Sequence, residues 1–257
     1  MRRSSVQILR SYGTIASLRP LPTPLELVSV SPLQVLYEDN HCLAVNKPAG
    51  LLTMGDRTGD ATLVDQARDY IGRKYQKPGA VFLGVVHRLD RPVSGVVVFA
   101  RTSKAAARLS EQFRVRSIEK TYLALVEGRP QQTRGQLIDH LAKDAGRNVS
   151  TVVDDDDGGA LDSRECVLDW QRLSQHGPLT LLEIHPLTGR SHQIRVQLAH
   201  AGWPIVGDAK YGASTPGQGT LALHSARLTY IHPTLKTPVT VAADPPAGWS
   251  RWMKTSR

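Results

Sequence analysis

The sequence predicts an α+β domain in which one long mixed, mainly antiparallel sheet carries a few flanking helices and a central cleft. Short apolar runs rich in β-branched residues outnumber amphipathic helical stretches. The two do not alternate in the regular way that builds a doubly wound parallel sheet. No internal repeat divides the chain, and its 257 residues suffice for one large domain with a substantial core.

Residues 1–31 form a basic arm, with Arg2, Arg3, Arg10 and Arg19, several serines, no acid before Glu26, and prolines at 20, 22 and 24. That composition suits a mitochondrial transit peptide and equally a disordered arm on a cytoplasmic protein. The folded domain is expected at 32–250, with a basic tail at 251–257. Gln34 to Tyr37 and His41 to Asn46 flank the turn Glu38-Asp39-Asn40 as a β-hairpin. Lys47-Pro48-Ala49-Gly50 follows as a loop, because the residue before a proline is pushed extended.

Thr62 caps a helix through Tyr75, with Leu63, Ala67, Tyr70, Ile71 and Lys74 at helical spacing. Val81 to Val86 and Val96 to Ala100 read as strands buried on both faces. Between them His87 to Gly95 must leave the sheet, since Pro92 cannot donate to a ladder and Ser94-Gly95 is a turn pair. Ser103 caps a second helix, Lys104 to Phe113, with Ala106, Leu109 and Phe113 inward.

Lys120 to Gly128, Gly135 to Leu141, Ser163 to Leu173, Leu179 to Ile184, Leu221 to Leu228 and Val239 to Val241 read as further strands. Asp154 to Gly159 reads as a solvated loop tip, lacking the alternating ligands of a calcium loop. His185 to Gly202 reads as strand, turn and helix, with Ser191 as N-cap, Gly202 just past the end, and Ile194, Leu198 and Ala201 on one face.

Lys+Arg 32 against Asp+Glu 23 gives a net charge of +9 and a pI near 9.8, so the surface field should attract polyanions, nucleic acid before a ribosomal or membrane surface. At 5% aromatics extended base-stacking platforms are not expected. Cys42 and Cys166 suggest neither a metal knuckle nor a disulfide framework, which fits a reducing compartment. No run reaches the length of a membrane span and no secretory signal is visible. Phosphate-loop and dinucleotide fingerprints are missing, and His200, His224 and His232 lack metalloenzyme spacing, so they read as hydrogen-bonded structural residues.

Chemistry concentrates in two stretches. Asp90 lies in the loop after His87, flanked by Arg88 and Arg91. It is either a turn cap among solvated arginines or a carboxylate kept ionised by nearby cations and able to act as a nucleophile. Arg190, His192 and Arg195 open the helix after Thr188, an arrangement that suits an anion. Arg195, at the margin of a buried stripe, must meet a carboxylate or a phosphate. Tyr122 reads, on its own, as a buried strand tyrosine with its hydroxyl satisfied.

His87-Arg88-Leu89-Asp90 followed by Ser94-Gly95 resembles the signature loop of the pseudouridine synthases of the RluA family. Asn46-Lys47-Pro48 with Gly50 resembles their "NKPxG" entry loop, and Lys120-Thr121-Tyr122 their Lys-x-Tyr motif. Thr188 to Arg195 is similar to "TGRxHQIR", Pro204 to Gly212 to "PIxGDxxYG", and Leu221 to His224 echoes "LxLHA". The matched motifs span Asn46 to Pro233. Val93 stands where most relatives carry threonine, and Pro92 where a polar residue is commoner.

The resemblance implies the pseudouridine synthase fold and isomerisation of a uridine in RNA, with no cofactor and no metal. It implies Asp90 as nucleophile, Arg195 as its partner, and Tyr122 packed on the target base and serving in proton transfer. Lys47, His87, Arg88, Arg91, Arg190 and His192 are the expected substrate-binding residues. The expected partner is a ribosomal or transfer RNA stem-loop, met by a monomer with no membrane involved. The leader is too short for the S4 module found in front of many relatives. Two other classes compete with this reading: a non-catalytic RNA-binding or ribosome-assembly protein, and a hydrolytic nucleosidase or glycosidase. The second wants two carboxylates about one bond, and the matched loops offer one.

Overall fold

The computed structural model describes residues 32–56, 59–144, 146, 148–153, 163–215 and 221–253. The basic arm at 1–31, the acidic loop at 154–159 and the last four residues of the tail lie outside the described residues. In chain order the elements are β1 (Gln34–Glu38), β2 (Cys42–Lys47), α1 (Leu63–Lys74), β3 (Gly84–Val85), β4 (Ser94–Ala100), α2 (Ser103–Arg114), β5 (Glu119–Glu127) and β6 (Arg134–Asp144). They continue as β7 (Val149–Val152), β8 (Arg164–His176), β9 (Leu179–Pro186), α3 (Gln193–His200), β10 (Leu223–Ile231), β11 (Pro238–Ala242) and the single turn α4 (Ser250–Met253).

All eleven strands join one sheet in the order β1-β2-β4-β10-β5-β9-β8-β6-β7, with β11 on β10 and β3 on β4. Among the described strands every pairing is antiparallel except β4 with β10, which meet only at Ser94–His224 and Gly95–Ser225. This short seam positions the site. Gly95 sits there at φ +116°, and a Cβ on it would lie 2.2 Å from the Ser225 carbonyl oxygen, so only glycine lets the strands approach. Beyond the seam β4 parts from β10, and the loop that precedes β4 lies over the opening.

β4 is buried at every residue and serves two cores by alternation. Val97 and Phe99 pack with Leu63, Ala67 and Ile71 of α1. Val96, Val98 and Ala100 pack with Ala105 and Leu109 of α2. Thr62 caps α1 as expected; Tyr70 packs against the core and its hydroxyl also reaches Glu38 at 2.8 Å, while Lys74 turns outward to grip Glu38 at 2.6 Å.

Three expectations need correction. The run Val81 to Val86 is not a strand buried on both faces: only Gly84–Val85 pairs, and Phe82 is 52% exposed. β10 takes Ser94 and Gly95 of β4 and the His87 side chain takes the Val98 amide, so β3 pairs only with Phe99 and Ala100. The cap of α2 is Thr102, whose hydroxyl accepts from the Ala105 amide at 3.1 Å, so Ser103 is already helical; of the expected inward residues Leu109 is buried, Ala106 and Phe113 pack half-buried beside it, and Ala105 joins them. Ser191 does not cap α3: the preceding position is His192, in the left-handed conformation, and Gln193 to Leu198 are buried all round. No helix among the described residues is long and apolar enough to cross a membrane.

Candidate active site

The loop before β4 is pinned from both sides. Thr53 donates its hydroxyl to the Leu89 carbonyl at 2.8 Å and accepts from the Leu89 amide at 3.1 Å. The Gly50 amide reaches the Arg91 carbonyl at 2.8 Å, and Leu89 and Val93 are buried as anchors. The turn is closed by the Val93 amide on the backbone carbonyl of Asp90, 3.0 Å. The side chain of Asp90 is therefore not needed as a cap, and it projects 30% exposed into the cleft.

The groups that face this carboxylate come from α3 and from the residue just before it. Arg195 Nη1 lies 3.4 Å and His192 Nε2 3.6 Å from the same oxygen, Asp90 Oδ2. Arg195 is 8% exposed and is itself gripped by Asp208, 1% exposed, through two parallel bonds of 2.7 Å from Nε and Nη2. Burial works against the guanidinium, but the Asp208 hydrogen bonds and then the charges of Asp208 and Asp90 raise its pKa on balance. The ring of Tyr211 lies under it, 5.0 Å from Cζ. Tyr211 also meets His192 Nδ1 through its hydroxyl at 2.7 Å. Burial is the main influence lowering the His192 pKa, against the pull of Asp90.

Tyr122 stands across the cleft on β5, opposite Ser225, whose hydroxyl it meets. Burial first and then the Asp90 charge push its phenol up to about 12, so it is a proton donor, not a base, at neutral pH. With Asp90, Arg88, Lys120, Arg190, His192, Arg195 and Leu223 it lines a cavity of about 600 Å³, a size suited to a small ligand.

Of the expected substrate-binding residues, Arg88 and Arg190 line this mouth as exposed side chains. His192 turns to Asp90. Lys47 is corrected: fully buried, its Nζ donates to the carbonyls of Pro48, Leu51 and Arg91 at 3.1, 2.6 and 3.0 Å. It straps the entry loop to the Asp90 loop and cannot reach a ligand, and burial lowers its pKa to about 7. Arg91 is also corrected to a pin, bonded to the Gly50 carbonyl at 3.0 Å and to Asp60 at 2.9 Å.

His87 forms wall. Burial pushes it down to about 3, so the imidazole is neutral; its Nε2 accepts from the Val98 amide at 2.9 Å and its ring stacks on Phe113 at 4.6 Å. It thereby fills the edge of β4 between the β10 and β3 contacts. Sequence reasoning gave no role to Asp208, Tyr211 or Ser225. The signal was the Gly207-Asp208 pair after an apolar run, since a buried arginine calls for a two-oxygen partner.

Asp39, Cys42 and His232 also bring possible ligand atoms within 4.8 Å of one another. His232 Nδ1 accepts from the amides of Thr234 and Leu235 at 3.2 and 2.8 Å, so Nε2 holds the proton and donates it to Asp39 Oδ2 at 2.6 Å. Asp39 Oδ1 is taken by the amides of His41 and Cys42, and burial pushes the Cys42 thiol up to about 12. The cluster is a satisfied latch, and a cation would have to displace its protons. His200 and His224 are likewise hydrogen-bonded, to Asp139 at 2.7 Å and to Ser94 and the Ala243 carbonyl.

Residues 41–200 match the family described as RNA pseudouridylate synthase. The chain is similar to ribosomal large subunit pseudouridine synthase D of Xanthomonas campestris, 36% identical over 88% of this chain and 70% of that protein. It is also similar to tRNA pseudouridine synthase C of Haemophilus influenzae, 32% identical over 86% of this chain and 96% of that protein. Among solved structures it resembles human RNA pseudouridylate synthase domain containing 4, with a TM-score of 0.71 and 25% identity over 84% of this chain and 90% of the other.

Proposed function

The chain belongs to the RNA pseudouridylate synthase family and isomerises uridine to pseudouridine in RNA, and from that premise we propose that Asp90 is the nucleophile, Arg195 its anchoring partner and Tyr122 the residue that meets the base. One observation carries the assignment: the Asp90 carboxylate opens into the cavity while the Arg195 guanidinium and the His192 imidazole both face the same oxygen, Oδ2.

The target uridine leaves its stack to enter the cavity, at a cost smallest in a loop. Arg88, Lys120 and Arg190 at the mouth meet the flanking phosphates. The free oxygen of Asp90 attacks C1′ of the sugar, and the C1′–N1 bond breaks with its electron pair leaving on uracil N1. The ring turns against Tyr122, C5 bonds to C1′ as the ester to Asp90 breaks, C5 loses its proton and N1 gains one. Reactant and product have the same composition. Tyr122, neutral at working pH, is suited to donate a proton or hydrogen bond to the turning ring.

Asp208 brings a second acid within reach, yet Arg195 occupies both of its oxygens, so a two-carboxylate hydrolysis lacks its second free group. The proposed substrate is a ribosomal or transfer RNA stem-loop, in keeping with the relatives named for each, and the proposed acting form is a monomer. The test is nucleoside analysis of RNA incubated with the protein: pseudouridine replacing uridine at unchanged RNA length is expected, and abasic sites with free uracil, or unaltered RNA, would overturn the reading.

A further inference from the structure

The cleft holds a second device that the nucleophile assignment does not by itself require. His192 lies at φ +56°, a left-handed backbone that residues other than glycine adopt only where their surroundings hold them there. That conformation brings its imidazole between two partners. Nε2 faces Asp90 Oδ2 at 3.6 Å, and Nδ1 meets the Tyr211 hydroxyl at 2.7 Å. The hydroxyl in turn accepts the Ser150 amide proton from β7 at 3.0 Å.

This chain decides a proton. With the Ser150 amide on one lone pair, the Tyr211 hydroxyl makes its best bond by donating to Nδ1, which leaves the imidazole proton on Nε2. The opposite tautomer would put a second donor on the tyrosine oxygen, strand the hydroxyl proton among the described residues, and turn an Nε2 lone pair toward a carboxylate oxygen. Resting on the reading of Asp90 as nucleophile, we propose that Tyr211 acts as a positioning residue: its hydroxyl fixes His192 as an Nε2–H donor to Asp90 Oδ2, and with Arg195 on that same oxygen this selects Oδ1 as the oxygen that attacks. Among the described residues no hydrogen bond falls on Oδ1. Arg195 supplies charge to Oδ2 and His192 supplies direction, so the carboxylate is held against rotation about Cβ–Cγ.

The alternative is that Tyr211 only packs, through its ring under Arg195 and edge-on to His192. Tyr211→Phe keeps the ring and removes only the hydroxyl, so it separates the two. The tautomer is read first, by ¹⁵N NMR of histidine-labelled full-length protein without RNA. The unsubstituted protein is expected to show His192 protonated at Nε2, with that preference lost in Tyr211→Phe. Single-turnover pseudouridine formation should fall about tenfold in Tyr211→Phe, the size of one ordinary hydrogen bond, with RNA affinity unchanged. In a His192→Gln background, where the amide can donate to Oδ2 without help, Tyr211→Phe should cost nothing further.

An Nδ1-protonated His192 in the unsubstituted protein overturns the proposal, as does an equal loss from Tyr211→Phe in both backgrounds. Should the unsubstituted protein make no pseudouridine, the nucleophile reading itself falls, and the NMR result still reports the tautomer separately.

Discussion

Two histidine–aspartate pairs in this molecule share one chemistry and differ in what is left over. In the latch at the β10–β11 hairpin, His232 is fully buried, donates Nε2–H to Asp39 at 2.6 Å, and the second oxygen of Asp39 holds two backbone amides. In the cleft, His192 reaches Asp90 only at 3.6 Å, and this imidazole and the Arg195 guanidinium both face one oxygen, Oδ2. A closed pair with every lone pair used contributes to the fold and nothing else. The open pair, with one oxygen unclaimed and its imidazole held on a strained backbone, is built to be completed by something that enters. Function here follows from the incompleteness of the hydrogen bonding, not from residue type.

That contrast makes separable predictions. The largest concerns what holds the open pair up. Asp208→Asn leaves the Arg195 guanidinium buried without its countercharge, and should destabilise the fold by about 3–5 kcal/mol, read by urea denaturation, together with loss of turnover. A smaller loss would mean Asp90 alone satisfies Arg195. Next, Asp39→Asn turns an amide N–H toward the His232 Nε2–H and should cost about 1–3 kcal/mol of stability while the folded protein keeps its single-turnover rate. A drop in that rate would show that the latch and the cleft are coupled.

Lys47, strapping the two loops below Asp90, gives a pH signature. Its pKa is about 7 folded against 10.5 for the free side chain, so between those values the unfolded chain binds the extra proton. Stability from this group therefore rises as pH increases through that window, with a slope of up to about 1.4 kcal/mol per unit, and Lys47→Met should flatten the rise. An unchanged slope would mean that the three carbonyls keep the ammonium charged in the fold. The smallest effect is at His192: Asn tolerates the left-handed backbone, so His192→Asn should gain up to about 1 kcal/mol of stability as activity falls, whereas a loss of stability would place His192 with the latch.

Much of the architecture could be read directly. The hairpin β1–β2, helix α1 with its Thr62 cap, and the strands β5, β6, β8, β9 and β10 follow from apolar alternation and turn residues that act locally, whereas β7 was not expected. Asp90, Tyr122 and Arg195 stood out because each lies in a contiguous motif, and the structure gathers them at one cavity. What stayed hidden is non-local. A six-residue apolar run such as Val81 to Val86 does not say how much strand edge its partner has free. Lysine is ordinarily exposed, so nothing in Asn46-Lys47-Pro48 announces a fully buried ammonium bridging three carbonyls. Of the arginines flanking Asp90 in sequence, Arg91 is tied to Gly50 and Asp60, while Arg195 and His192, which face its carboxylate, lie more than a hundred residues on. Asp208 and Tyr211 were visible as letters, but their roles exist only where α3 and the turn after Gly207 meet.

The central claim is that the side chain of Asp90 performs the attack. It is tested most directly by single-turnover release of tritium from RNA carrying [5-³H]uridine, since C5 must lose its hydrogen for the product to form, with RNA binding measured in parallel. The account predicts prompt release by the unsubstituted protein, and for Asp90→Asn no release above background at unchanged RNA affinity. Release by Asp90→Asn at a rate within about tenfold of the unsubstituted protein would contradict it.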